Sequence, residues 1–215
     1  MRDTILVGAD TTDFTPAITE LLDTGADFVI ITWAGASGVN LFQQMADLGV
    51  SDEMGVLTGF NSNDIQDALG LNREGDQGFV VYHYTLPDTE VNDWLVETHQ
   101  ERYAGDPPDL FTECGFASAQ ALVAALEATE GSTDAEDLIP ALEGLAFEGP
   151  KGTYFIRPED HQALVPMYVV ELTDAEPEQP FAYYTLLAEV LPDAYELPCF
   201  APAERSSDSV TCLGQ

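Results

Sequence analysis

One stretch, residues 27–48, narrows the choice of fold more than any other part of the chain. It reads Asp27-Phe28-Val29-Ile30-Ile31-Thr32-Trp33, then a small-residue turn from Ala34 to Gly38, then Leu41, Phe42, Met45 and Leu48 at helical spacing. A short apolar run, a tight turn and an amphipathic helix in that order predict a buried parallel strand passing straight into a helix. In an open α/β sheet, ligands sit where such strands end. Trp33 to Ser37 is therefore the first place to expect a pocket.

The same pattern extends to either side. Ile5 to Val7 reads as a strand. Thr15 is placed to cap a helix with Pro16 in its first position, Ile18, Leu21 and Leu22 on its apolar side and Gly25 as its stop. Met54 to Leu57 reads as a short strand, followed by the loop Thr58-Gly59-Phe60-Asn61-Ser62-Asn63 and a short helix around Ile65 to Leu71. Gly78 to Tyr82 makes a fourth strand. Strands alternating with helices at this spacing imply a parallel sheet.

From His83 the pattern changes. Three helices follow without intervening strands, the first with Val91, Trp94, Leu95 and Thr98 on one side. The second, about Thr112 to Thr129, is apolar nearly all round from Phe116 to Leu126 and is expected to be deeply buried. The third has a capping box, Thr133 with Glu136, and a proline, Pro140, that should kink it or delay its start. Strand-like stretches return at Thr153 to Ile156, Met167 to Leu172 and Tyr183 to Val190, and a loose tail runs on from Leu191. An α/β unit, a helical excursion and late strands suggest a chain that leaves one lobe and comes back.

Charge excludes several partners. The 215 residues carry 39 acids against 6 lysines and arginines, a formal −33, and Lys151 is the one lysine. No basic stripe exists to displace phosphate counterions, so nucleic acid is not an expected partner, nor is an anionic membrane surface. The acids are scattered, with no long acidic tract. That favours a surface adapted to concentrated salt over a specific acidic face. No run of 18 apolar residues is present to span a membrane, and the N-terminus enters strand-like sequence without a signal-peptide core. Cys114, at a helix start, is expected to be a small core residue. Cys199 and Cys212 flank the tail as a possible staple, with a free pair as the alternative.

Catalytic signatures are missing. A nucleophile elbow, phosphate loop, dinucleotide fingerprint and zinc helix are all absent, so neither an enzyme nor a cofactor is expected. Gly35 and Gly38 follow a strand and precede a helix, which suits an anion but equally a tight turn. His83, between Tyr82 and Tyr84, either lines a cleft or packs at a half-buried edge. His99 and His161 are expected to face solvent. Glu113 reads as a ligand carboxylate or as an acid favoured by the helix dipole. Trp33 and Phe60, from neighbouring βα units, would converge on one edge of the sheet.

Several segments together carry a family resemblance. They are Thr12-Asp13-Phe14-Thr15 entering a helix, Asp27-Phe28-Val29 through Gln44-Met45, the strand before Thr58-Gly59, Gly78-Phe79-Val80-Val81 before the tyrosines, and the turn Phe147-Glu148-Gly149-Pro150-Lys151-Gly152. In this order and spacing, from about Val7 to Leu172, the chain resembles the periplasmic solute-binding proteins of branched-chain amino acid ABC transporters. The resemblance implies an α/β, type I periplasmic-binding fold, comprising one parallel-sheet lobe and part of a second. It also implies an extracytoplasmic protein that closes two lobes on a small solute and then docks on a membrane permease. By that alignment, residues 1–83 form most of the second lobe, 84–163 belong to the first, 164–191 return, 192–215 are a tail, and the chain lacks an upstream part. A ligand-sensing receptor on the same fold and a non-binding truncated product are the alternatives.

The resemblance places the ligand at Trp33, Ala34 and Gly35, at Gly59, Phe60 and Asn61, and at His83 and Tyr84 near the hinge. This chain departs from the amino-acid binders there. Their first-segment aromatic ring aligns near Ala34 and Gly35, and the acid that pairs with the ligand ammonium has no counterpart in Thr58-Gly59-Phe60-Asn61. A buried ammonium without a counter-charge is costly. The expected solute is thus a small apolar or aromatic carboxylate or amide.

Overall fold

The computed structural model describes residues 4–33, 37–59, 62–63, 66, 75–173, 181, 184–194 and 197–214. Two compact units emerge, one of residues 1–81 with 169–187 and the other of residues 82–168 with 188–215.

In the first unit the strand–helix alternation is realised. Helix α1 (Thr15–Asp23) precedes β1 (Phe28–Ile31), then come α2 (Gly38–Asp47), the single turn α3 (Val50–Glu53), β2 (Gly55–Gly59) and β3 (Gln77–Val80). β1 and β2 run parallel, with Phe28 opposite Gly55 and Ile31 opposite Thr58, and β2 runs parallel to β3. With β7 (Met167–Leu172) and β8 (Tyr184–Val190), these strands make a five-stranded sheet of order β1-β2-β3-β7-β8. The helix expected around Ile65 to Leu71 falls almost wholly outside the described residues.

Side-chain alternation decides what this sheet buries. Val29, Ile31 and Val56 point to the face covered by Phe14 and Ile18, by Leu41, Phe42 and Met45 of α2, and by Val50 and Met54. The other face of the same strands carries Phe28, Ile30 and Phe79, each at least half exposed. β1 is therefore not the wholly buried strand its apolar run suggested. Helices α1, α2 and α3 pack on one side of it.

Local chemistry moved several other boundaries. Ile5 to Val7 is not a strand. No described residue pairs with it, and Leu6 and Val7 are exposed. Thr15 is the first residue of α1 rather than its cap. Phe14 holds the cap position, and Asp13 Oδ1 accepts the Thr15 N–H at 3.0 Å. Gly25, at φ +58°, takes the left-handed conformation that ends the helix.

The second unit holds helices α4 (Glu90–Arg102), α5 (Leu110–Ala128) and α6 (Ala135–Leu142) and a three-stranded sheet, β4 (Ala146–Gly149), β5 (Gly152–Ile156) and β6 (Ala163–Leu164). β4 and β5 form an antiparallel hairpin turning at Pro150-Lys151, with Gly152 at φ +93°. The sequence reading had the turn and the second strand, at Thr153 to Ile156, but not β4. α5 buries just the stripe Glu113, Ala117, Ala121 and Ala125, four residues apart, while Phe111, Leu122 and Val123 are exposed. It is not the all-round buried helix expected, because what packs on it, α6, β4 and the Trp94 ring of α4, leaves those apolar side chains uncovered. Cys114 is exposed rather than in the core. Asp134, not Thr133, caps α6, and Pro140 sits inside that helix.

The tail is fastened rather than loose. Cys199 is bonded to Cys212, closing a loop worth about 3 kcal/mol where oxidising conditions keep it. Arg157 spans from Asp160, on which it makes two bonds, to the carbonyls of Leu197 and Pro198. From the tail, Arg205 reaches back to the Pro158 carbonyl at 2.6 Å and to Glu143 at 3.1 Å.

Candidate functional site

The carboxyl ends of β1 and β2 bring Trp33, Thr58 and Gly59 to one edge of the first unit's sheet. Trp33 is half-buried. Its ring meets Phe14 edge-on, centroids 5.1 Å apart at 87°. On another side stands the first turn of α2, where a Cβ added to Gly38 would lie 3.6 Å from the indole Cδ1. An aromatic ring fixed in this way offers an apolar face at little entropic cost.

Gly59 has a steric role. The Phe79 ring lies across it, and a Cβ there would come within 2.7 Å of Phe79 Cζ. Thr58 is buried beside it, its hydroxyl bonded to the Gly59 carbonyl. Ala34, Gly35, Phe60 and Asn61, the other candidates at this edge, lie outside the described residues. Sequence reasoning passed over the polar residues that follow β2. Ser62, Asn63 and Gln66 are all buried, and the Gln66 Nε2 has no hydrogen-bond partner among the described residues. Three buried polar side chains directly after a strand end are a signal of a polar-lined edge that the reading did not use.

His83 and Tyr84 belong to the second unit. His83 is 1% exposed, with Nδ1 2.8 Å from the Thr85 hydroxyl and its ring tilted against Tyr84. Tyr84 is half-buried, and burial raises the pKa of its phenol. Asn92 fixes this segment. It accepts from the Tyr82 hydroxyl at 2.8 Å and donates to the carbonyls of Tyr84 and Pro87. Of the two candidates in this unit, Tyr84 is thus the one that offers surface.

Glu113 stands in the first turn of α5, as one sequence reading had it, and takes a further role that neither reading gave it. It is 2% exposed, accepts from the Tyr154 hydroxyl, and lies 3.9 Å from the Lys151 Nζ, itself as deeply buried. Desolvation raises the Glu113 pKa, partly offset by Lys151 and Tyr154. Burial lowers that of Lys151. The chain's single lysine thus serves a buried ion pair, not the surface. Among the described residues no group of three or more acids, histidines or cysteines is placed to hold a metal ion, and no helix is long and apolar enough to cross a membrane.

The family model described as periplasmic binding protein matches residues 2–177. No curated protein matches the chain. Among solved structures, an ABC-type branched-chain amino acid transporter from Rhodopseudomonas palustris is 34% identical, with a TM-score of 0.74 over 89% of this chain and 52% of that one. A solute-binding protein of an ABC transporter from the same species, in complex with p-hydroxybenzoic acid, is 19% identical with a TM-score of 0.77, over 86% of this chain and 51% of that one. The leucine-, isoleucine-, valine-, threonine- and alanine-binding protein of Brucella ovis is 21% identical with a TM-score of 0.71, over 88% and 49%. The chain spans about half the length of these proteins.

Proposed function

This chain belongs to the periplasmic binding protein family, and on that premise we propose that it forms part of the substrate-binding component of an ABC importer, outside the cytoplasm. The solute is a small apolar or aromatic carboxylate or amide, and one wall of its site is the sheet edge at Trp33 and Gly59. The whole protein closes on the solute and presents it to a membrane permease. One observation carries the reading of the site: Trp33, packed edge-on against Phe14, is only half-buried at the carboxyl end of a parallel sheet. The loop Thr58-Gly59-Phe60-Asn61 supplies no acid for an ammonium group, and p-hydroxybenzoic acid and benzoate are the ligands of two structures with similar folds.

We further propose that the two bare apolar faces are covered in the whole protein by additional polypeptide. One is Phe28, Ile30, Leu57 and Phe79 on the sheet, and the other is Phe111, Leu122 and Val123 on α5. Contiguous apolar surface of this kind marks an interface, and the similar proteins are about twice as long.

A thermal-shift screen of the whole protein tests the solute class. Benzoate, 4-hydroxybenzoate and benzamide are expected to stabilise it, by about 2.7 kcal/mol at a hundredfold excess over Kd. Leucine, isoleucine and valine are expected to do little. Stabilisation by the aliphatic amino acids alone would refute the proposed class.

A further inference from the structure

The loop at residues 11–14 stands behind Trp33, and α2 holds it in place. Gln44 uses both ends of its amide for this. Oε1 accepts the Phe14 N–H at 2.7 Å, and Nε2 donates to the Thr12 carbonyl at 3.0 Å. Ser37, just before α2, donates from its hydroxyl to the Thr11 carbonyl. The need is local. Phe14 occupies the cap position of α1, and its own side chain cannot cap the helix. Its N–H is one of the donors a helix start leaves over, and Gln44 takes it up from thirty residues away.

The consequence reaches the candidate site. Phe14 is 1% exposed and presents its ring to Trp33. Helix α2 therefore sets the indole twice, directly through the apolar cluster it shares with Trp33 and indirectly through Gln44, the 12–14 loop and Phe14. A glutamine is needed because the loop offers one donor and one acceptor together. Glutamate has no hydrogen for the Thr12 carbonyl, and methionine satisfies neither group.

We propose that Gln44 is the positioning residue for Trp33, and so a determinant of how tightly the site holds a ring-bearing solute. The first clause stands on the geometry alone, and the second rests on the functional reading above. A site residue is only as well placed as the groups that support it, and losing two neutral hydrogen bonds is enough to release this loop.

The test uses the full 215-residue chain with Trp94→Phe, which leaves Trp33 as its one tryptophan. In that background Gln44→Met is expected to shift the Trp33 emission to the red and raise acrylamide quenching about twofold, with far-UV circular dichroism unchanged. Gln44→Glu should fall between Gln44→Met and the parent, and in the whole protein Gln44→Met should lower benzoate affinity roughly tenfold. Gln43→Met, on the exposed neighbour, should change none of these. Ser37→Ala removes a single bond and gives a milder version of the same shift should Gln44→Met fail to fold. Unchanged Trp33 emission and quenching in Gln44→Met, or in Ser37→Ala if that is the variant that folds, overturns the proposal. A Trp33 response to Gln44→Met, with a whole protein whose melting midpoint ignores both benzoate and leucine, upholds the positioning and refutes the site reading instead.

Discussion

Dilution from about 2 M salt to about 0.05 M is expected to lower the melting midpoint of this protein by roughly 10 °C or more. The cause is unpaired negative charge. The sequence holds 39 acids against 6 lysines and arginines, and the described part of the first unit contains no lysine, arginine or histidine at all. In the second unit Lys151, Arg157 and Arg205 are each engaged with an acid already. What remains is mutual repulsion among surface carboxylates. It is felt over about 30 Å at 0.01 M salt but only about 3 Å at 1 M. Each kcal/mol moves the midpoint of a chain this size by about 2–4 °C, so a repulsion of several kcal/mol accounts for the shift. Differential scanning calorimetry across a salt series measures it. A midpoint that stays flat, or falls as salt rises, would show that the acids are paired in ways the charge balance does not reveal.

Lys151→Met is expected to cost about 3–5 kcal/mol, the usual price of stranding one member of a buried ion pair. Glu113 keeps the Tyr154 hydroxyl but loses its only described cationic neighbour. The pH dependence has a definite sign. The folded-state pKa of Glu113 is already raised by burial, and removing Lys151, which lowers it, raises it further. A carboxyl with a raised folded pKa contributes stability that is complete below its unfolded value and is lost as pH climbs through the folded one. The penalty of Lys151→Met should therefore shrink in acid and be full near neutrality. The double variant Glu113→Gln with Lys151→Met, which removes both charges, should recover most of the loss. Urea melts at two pH values separate the outcomes, and a single variant as stable as the parent at neutral pH would mean that the pair contributes nothing.

The parts of the fold legible in the sequence were those set by short-range periodicity. The run Phe28 to Ile31 and the spacing of Leu41, Phe42 and Met45 gave β1 and α2 almost to the residue. What covers each face was not legible. Phe28 and Val29 look alike in a hydropathy pattern, yet one is exposed and the other packs against Phe14's cluster. Long-range polar partnerships were equally hidden. Glu113 meets Tyr154 across 41 residues and Gln44 meets Phe14 across 30, and no local rule links such positions. At the candidate edge, Trp33 and Gly59 were legible because both stand at strand ends. The buried Ser62, Asn63 and Gln66 were not, since polar residues after a strand read as an ordinary loop.

Hydrogen exchange of the whole protein, with and without a stabilising solute, asks most directly whether the sheet edge of the first unit is the binding wall. The account predicts slower exchange at the amides of Ile31, Thr32, Trp33, Thr58 and Gly59 when solute is bound, with the disulfide-closed tail from Cys199 to Cys212 unchanged. Solute binding that leaves those five amides exchanging as before would contradict it.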